Sequence, residues 1–180
     1  MSAAVEIRSI GGVQAQGRKV TGYAAVFNAD ADLGEFVERI QPGAFARSLD
    51  SRRNIRALYD HQSGAVLGTT NAGTLELRED AKGLAFTLEL PDTTTGRDVA
   101  ELVKRGDVAG CSFGFRVGPK GDKWEQRNGR AVRTLLDVDL AEVTLTADPA
   151  YANTEVALRS MGFAVAPRKE ACIKWLETCR

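Results

Sequence analysis

Two side chains in this sequence have the types that nucleophilic catalysis by a hydroxyl group requires. Ser112 lies between glycines and aromatic residues in the stretch 110–115, and His61 is the single histidine of the 180 residues. A serine hydroxyl is a weak nucleophile at neutral pH, so an imidazole must accept its proton and a third group must fix the imidazole's tautomer. If an imidazole activates Ser112, that imidazole belongs to His61.

Glu142 is the carboxylate that best fits the third role. In the strand predicted over residues 131–147, Glu142 has the parity of Leu140, which would direct a carboxylate toward apolar surroundings where it needs a partner. Asp60 is a poorer candidate, because adjacent strand residues point to opposite faces. The apolar pattern changes parity at Ala141 and Glu142, which indicates a β-bulge or a strand buried on both faces.

Each of these residues also has an ordinary structural interpretation. A serine between glycines is often a tight-packing position, a histidine at a strand end can be a surface residue, and an inward glutamate is often paired with an arginine. Cys111 is a second possible nucleophile. It alternates with Phe113 and Phe115, so the pattern assigns it to the core as an inert thiol.

The run GCSFG around Ser112 also matches the G-x-S-x-G elbow of the α/β-hydrolases. That fold requires a helix directly after the serine and a histidine later in the chain. Here a predicted helix precedes the serine, a strand contains it, and no histidine follows it. Chain order therefore excludes the α/β-hydrolase scaffold.

The elements that must position these residues are mostly strands. Period-two alternation predicts a strand over 54–59, which ends just before His61, and an antiparallel hairpin over 73–90. The polar segment 118–129 predicts a hairpin tip ahead of the long strand 131–147. Such patterning is typical of antiparallel sheets that pack one face on the core and expose the other face to solvent.

One helix is well marked by its ends. A capping box with aspartate in place of glutamate runs from Thr95 to Asp98, and Gly106 is a suitable stop. Apolar residues at helical spacing lie between these ends. The helix leads directly into the strand that carries Ser112.

Composition excludes several kinds of function. Lys+Arg and Asp+Glu are balanced at 24 each, so no net field attracts nucleic acid or an acidic membrane. No apolar run approaches the roughly 20 residues that span a bilayer, and the first residues lack the features of a signal peptide.

One histidine and three cysteines without a CxxC pair argue against zinc. The polar loop 28–34 lacks the glutamate of a calcium loop. We expect no cofactor and no metal.

Short blocks spread over most of the chain resemble the prohead (capsid maturation) protease family of tailed phages. They lie within residues 18–159, and their order and spacing are more specific than any single block. The blocks are 22–27, 42–45, 58–61, 96–98, 112–115, 140–145 and 149–151. The resemblance implies a herpesvirus assemblin-like α+β fold, a mostly antiparallel β-barrel core with surrounding helices. The protease domain would span 1–160, and 161–180 would be a tail or short helix.

The resemblance also implies a function and a set of site residues. The family's members are serine endopeptidases that cleave scaffold and major capsid protein, and commonly themselves, inside the immature capsid in the host cytoplasm. The family's histidine falls on His61 and its nucleophile on Ser112. Assemblins use a second histidine, which this chain lacks, and the phage pattern has Glu142 in a suitable position. Assemblins act as dimers, so a homodimer is expected. The alternative is a non-catalytic capsid-assembly or scaffolding module on the same fold.

Overall fold

The computed structural model describes residues 4–51 and 53–147. Strands hold 51% of these residues and helices 12%. The helices are α1 Ala46–Asp50 and α2 Thr94–Arg105. The strands are β1 Glu6–Gly11, β2 Gln14–Gln16, β3 Lys19–Val26, β4 Ala31–Asp32, β5 Phe36–Ile40, β6 Arg56–Tyr59, β7 Val66–Thr69, β8 Leu75–Glu79, β9 Gly83–Glu89, β10 Gly110–Val117, β11 Asp122–Arg127, β12 Arg130–Leu135 and β13 Val138–Thr146. The predicted tail at 161–180 and the block at 149–151 lie outside the described residues.

The strands of the described part form three sheets. The first has the order β1-β10-β13-β6-β7, the second β11-β12-β5-β4 and the third β2-β3-β9-β8. Two neighbouring pairs, β5 with β12 and β6 with β13, are parallel, and the other pairs are antiparallel. The mostly antiparallel β architecture thus agrees with the prediction. The described residues form no closed barrel, and the assemblin-like fold stays a prediction.

The core lies between the first and third sheets, where β1 and β10 contact β3. From β10 it receives Cys111, Phe113 and Phe115, all at most 2% exposed. The Phe113 ring stacks on Phe115 with centroids 5.1 Å apart and meets Phe45 edge-on at 5.5 Å. Aromatic pairs at these separations add to the free energy of burial. The structure therefore bears out the expected core position of Cys111.

A buried charge cluster joins the first sheet to the second. It consists of Glu6 and Arg8 on β1, Glu38 on β5, Asp122 on β11 and Arg133 on β12. Arg133 donates two hydrogen bonds to Glu6, at 2.6 and 3.0 Å, and Arg8 donates two to Glu38, at 2.6 and 2.8 Å. Burial by itself lowers the pKa of the Arg133 guanidinium, but hydrogen bonding and attraction from Glu6 outweigh it, so that pKa is raised. The cluster thus holds β1 of the first sheet against β5 and β12 of the second.

Helix α2 ends where the sequence predicts and begins slightly earlier. Gly106 has a left-handed backbone (φ 85°) and closes the helix. The N-cap is Thr93, whose hydroxyl accepts a hydrogen bond from the Gly96 amide at 3.1 Å. The predicted capping box at Thr95 is therefore wrong by two residues, because Thr93 offers the same side chain one step outside the helix.

The long strand predicted over 131–147 is two strands in two different sheets. The amides of Leu136 and Asp137 both donate to the Gly121 carbonyl, at 2.8 and 3.0 Å, and this contact interrupts the ladder. Residues 122–127, predicted as part of a hairpin tip, form β11, which turns into β12 at Asn128 and Gly129 with φ of 52° and 80°.

No helix among the described residues is long and apolar enough to cross a membrane.

Candidate active site

Ser112 lies on the side of β10 that faces away from the phenylalanine core. Residues alternate along a strand, so Cys111 and Phe113 point to one face and Ser112 and Gly114 to the other. Ser112 is 1% exposed, and its Oγ is 2.5 Å from the Oγ of Ser9, the residue opposite on β1. The predicted nucleophile is therefore held by a neighbouring hydroxyl.

A β-bulge in β13 brings Glu142 to the same face as Ser112. Gly114 pairs with Glu142 and Phe115 with Leu140, which leaves Ala141 without a counterpart on β10. The predicted parity change is thus confirmed as a bulge. The expectation that Glu142 shares a face with Leu140 is wrong, because the extra residue shifts the alternation by one.

Gly114 leaves space for the Glu142 side chain. A Cβ built on Gly114 would lie 3.0 Å from Glu142 Cγ and 3.3 Å from Val5 Cγ1. Those separations are closer than van der Waals contact, so a larger residue would push the carboxylate away from β10. Glycine at this position therefore keeps Glu142 close to the strand of the nucleophile.

His61 lies in the turn after β6, as predicted. β6 runs parallel to β13, with Tyr59 beside Leu145, and the Asp60 amide donates to the Leu145 carbonyl at 3.0 Å. Asp60 and His61 both have left-handed backbones, with φ of 49° and 55°. Such conformations cost non-glycine residues about 1–3 kcal/mol each and persist where the surrounding structure enforces them, often at functional sites.

The His61 imidazole binds Glu142 directly. His61 Nδ1 is 2.9 Å from Glu142 Oε1, and the two side chains are 27% and 15% exposed. A carboxylate there favours the tautomer with the proton on Nδ1, which leaves Nε2 as the basic nitrogen. The partner of His61 is Glu142 and not Asp60, as the sequence predicts.

Arg56 is a second partner of Glu142. Its Nη2 is 3.8 Å from Glu142 Oε2, and its side chain is 41% exposed. A long ion pair to a half-exposed arginine contributes little, so the hydrogen bond to His61 is the stronger contact. Glu142 therefore makes both contacts that the sequence suggested, a hydrogen bond to His61 and an ion pair with an arginine.

Thr144, like Ser9, is a residue of this face that the sequence analysis did not single out. It lies directly between Ser112 on β10 and Leu58 on β6. Its Oγ1 is buried without a hydrogen-bond partner among the described residues, and an unmade hydrogen bond on a buried group costs about 1–3 kcal/mol. Its position two residues after Glu142 was the available signal, since both side chains share one face.

The structure brings together two of the three predicted residues and puts the third on the same face of the same sheet. His61 and Glu142 are in contact, and Ser112 is one strand away from Glu142. Within the described ranges no hydrogen bond joins Ser112 to His61, and the Ser112 hydroxyl instead contacts that of Ser9. Proton transfer from Ser112 to His61 therefore requires a movement that brings the two side chains within hydrogen-bond distance.

A family model supplies an independent comparison. The model described as caudovirus prohead serine protease matches residues 3–167 of the 180-residue chain. The chain belongs to the caudovirus prohead serine protease family. The resemblance seen in the sequence blocks is thus confirmed over a longer range, and the family is one of serine peptidases of phage capsid maturation. Comparisons with curated proteins and with solved structures give no significant match.

The thiol next to Ser112 provides a first prediction for this member of the family. Cys111 is fully buried, and burial raises the pKa of its thiol to about 12, so the reactive thiolate is not populated at neutral pH. Cys111→Ala is expected to keep the rate of substrate cleavage within about twofold, with a stability loss of about 1 kcal/mol. Rates of the purified variant and wild type, measured side by side, check this. A folded but inactive variant would assign the nucleophile to sulfur.

Proposed function

We propose that this chain is a serine endopeptidase that cleaves the major capsid protein and scaffold of its phage, and itself, during prohead maturation. The observation that carries the proposal is the hydrogen bond between His61 and Glu142 on the face that bears Ser112. Family membership supplies the substrate class. On this proposal the chain acts inside the immature capsid in the host cytoplasm.

The proposed mechanism uses the free nitrogen of the imidazole. His61 Nε2 accepts the Ser112 proton as Oγ attacks the carbonyl carbon of a peptide bond, and the carbonyl oxygen becomes an oxyanion. The imidazolium then protonates the leaving nitrogen, so that the C–N bond breaks and an ester on Ser112 remains. In the second half of the reaction, His61 accepts a proton from water as the water oxygen attacks the ester carbon. The bond to Ser112 Oγ then breaks, Oγ takes the proton back, and the new carboxylic acid is released. Glu142 holds the imidazole through Nδ1 and stabilises its positive charge.

Burial of Ser112 sets a condition on this mechanism. Ser112 is 1% exposed, so a peptide can reach its hydroxyl only after the side chains that cover this face of β10 move. The same movement brings Ser112 within hydrogen-bond distance of His61. On this proposal the basal activity of the chain is low until substrate is presented in the assembling capsid.

Active-site labelling tests the function directly. A fluorophosphonate probe phosphonylates a serine that a neighbouring base activates, and mass spectrometry is expected to find the label on the peptide containing Ser112. Co-expression with the major capsid protein and scaffold of the same phage should yield discrete cut products. Absence of both label and cuts in the assembled capsid would favour the non-catalytic assembly module. Sedimentation of the purified chain tests the expected homodimer.

Glu142→Gln tests the third residue. The amide can donate to Nδ1, which moves the ring proton to Nε2, where it cannot serve as a base. The change is expected to lower kcat by about 10³–10⁴-fold, the size of effect seen when the orienting carboxylate of a triad becomes an amide. Steady-state cleavage of the capsid protein gives the measurement.

A matched control is Glu76→Gln, on an exposed position of β8, which should leave kcat unchanged. Arg56→Met removes the other partner of Glu142 and should change kcat only a few-fold, since that contact is long and half-exposed. An unchanged kcat in Glu142→Gln would remove Glu142 from the mechanism and leave it as the partner of Arg56 only.

A further inference from the structure

The strand that carries Ser112 has no spare backbone donors along the paired segment. β10 lies between β1 and β13, and residues 110–115 pair with both neighbours. In an interior strand the amide groups are taken up by the ladders on either side. The amides on either side of the nucleophile therefore cannot form an oxyanion hole as they do at a nucleophile elbow, and a donor must come from elsewhere.

Thr144 offers a donor at the right place. Opposite residues on neighbouring strands point to the same face, so its side chain lies beside that of Ser112, on the flank toward β6 and His61. Thr144 is 1% exposed, and its hydroxyl is without a hydrogen-bond partner among the described residues. Buried hydroxyls without a hydrogen-bond partner are rare in proteins, so this one calls for an explanation.

The polar groups nearest to Thr144 on this face already have partners. Ser112 is bonded to Ser9, and Glu142 is bonded to His61. Neither group bonds the Thr144 hydroxyl in this structure, so its proton is available to a further acceptor. In a buried site a free hydroxyl dipole interacts strongly with a charge that develops beside it.

We infer that the Thr144 hydroxyl donates a hydrogen bond to the carbonyl oxygen of the scissile peptide bond as that oxygen becomes an oxyanion. The inference rests on the proposed function, and it names a catalytic donor for it. When Ser112 Oγ adds to the carbonyl carbon, the oxygen gains the electron pair of the C=O bond, and the Thr144 proton points to that charge. When the carbonyl reforms and the leaving nitrogen departs, the hydrogen bond weakens again.

Thr144→Val removes the hydroxyl and keeps the shape of the side chain. With the capsid protein of the same phage as substrate, kcat is expected to fall by about 10²–10³-fold with KM within a few-fold, the usual loss for one oxyanion donor. Resistance to urea is expected to stay the same or increase, because a methyl group replaces an unpartnered buried hydroxyl. Thr144→Ser should keep most of the wild-type kcat, since it restores the donor.

Thr134→Val, on β12 of another sheet, is the matched control and should leave kcat unchanged. Wild-type kcat in Thr144→Val would overturn the inference and leave the hydroxyl as the partner of a trapped water only. A clear loss of urea resistance in Thr144→Val would also overturn it, because the hydroxyl would then have a structural partner. Failure of the proposed function is recognised separately, as cleavage that survives Ser112→Ala.

Discussion

Ser112→Ala is expected to lower the rate of capsid-protein cleavage by about 10⁶-fold while the chain stays folded, the size of loss that removal of a catalytic serine causes in a triad. The variant loses the only proposed nucleophile, because the adjacent Cys111 is buried in the core. It also loses one hydrogen bond to Ser9, which is worth about 1 kcal/mol. Product analysis by gel and mass spectrometry, with circular dichroism as the test of folding, gives the result.

His61→Ala should have a comparable effect, and the double variant should be no slower than Ser112→Ala alone, since residues that act as one unit are strongly non-additive. Ser63→Ala is the matched control. Ser63 is exposed in the same turn as His61, so this change should leave cleavage unaltered. Processing that persists in a folded Ser112→Ala or His61→Ala variant would contradict the mechanism.

Arg133→Met is expected to have the largest effect on stability. The Arg133 side chain is 0% exposed and binds Glu6, Glu38 and Asp122. Removing one partner of a buried ion pair leaves uncompensated charge and costs about 3–5 kcal/mol. Urea unfolding with linear extrapolation should show a decrease of that size in the free energy of unfolding.

The same substitution at the surface provides the control. Arg130 lies on the same strand, but its side chain is 44% exposed and its partner Asp32 is 62% exposed. Arg130→Met should change the free energy of unfolding little. Adding Glu6→Gln to Arg133→Met should recover part of the loss, because one of the stranded charges is removed. An equal cost at both positions would show that the cluster does not stabilise the fold.

Local features of the fold could be predicted because their causes are close in sequence. The stop of α2 at Gly106 needs a residue that tolerates a left-handed backbone. The hairpin of β8 and β9 follows from strict alternation on both sides of a polar turn. The position of His61 at a strand end and the core position of Cys111 followed from the same alternation.

Features that depend on distant contacts could not be predicted. The break between β12 and β13 arises because Gly121 accepts two amide hydrogen bonds, and no local pattern marks that contact. Glu6 and Arg133 have the alternation of solvent-facing residues, yet both are buried because each finds the other across 127 positions of sequence. Pairing of β6 with β13 is likewise non-local, and it is this pairing that brings His61 to Glu142.

The bulge in β13 has a consequence for how the strand tolerates changes in length. Since Ala141 has no counterpart on β10, its deletion would leave Leu140 and Glu142 on the faces they already occupy. Deletion of Val143 would instead make Glu142 and Thr144 direct neighbours on opposite faces. Ala141 is thus the point of β13 where the chain absorbs a length variation without exchanging residues between the core and the polar face.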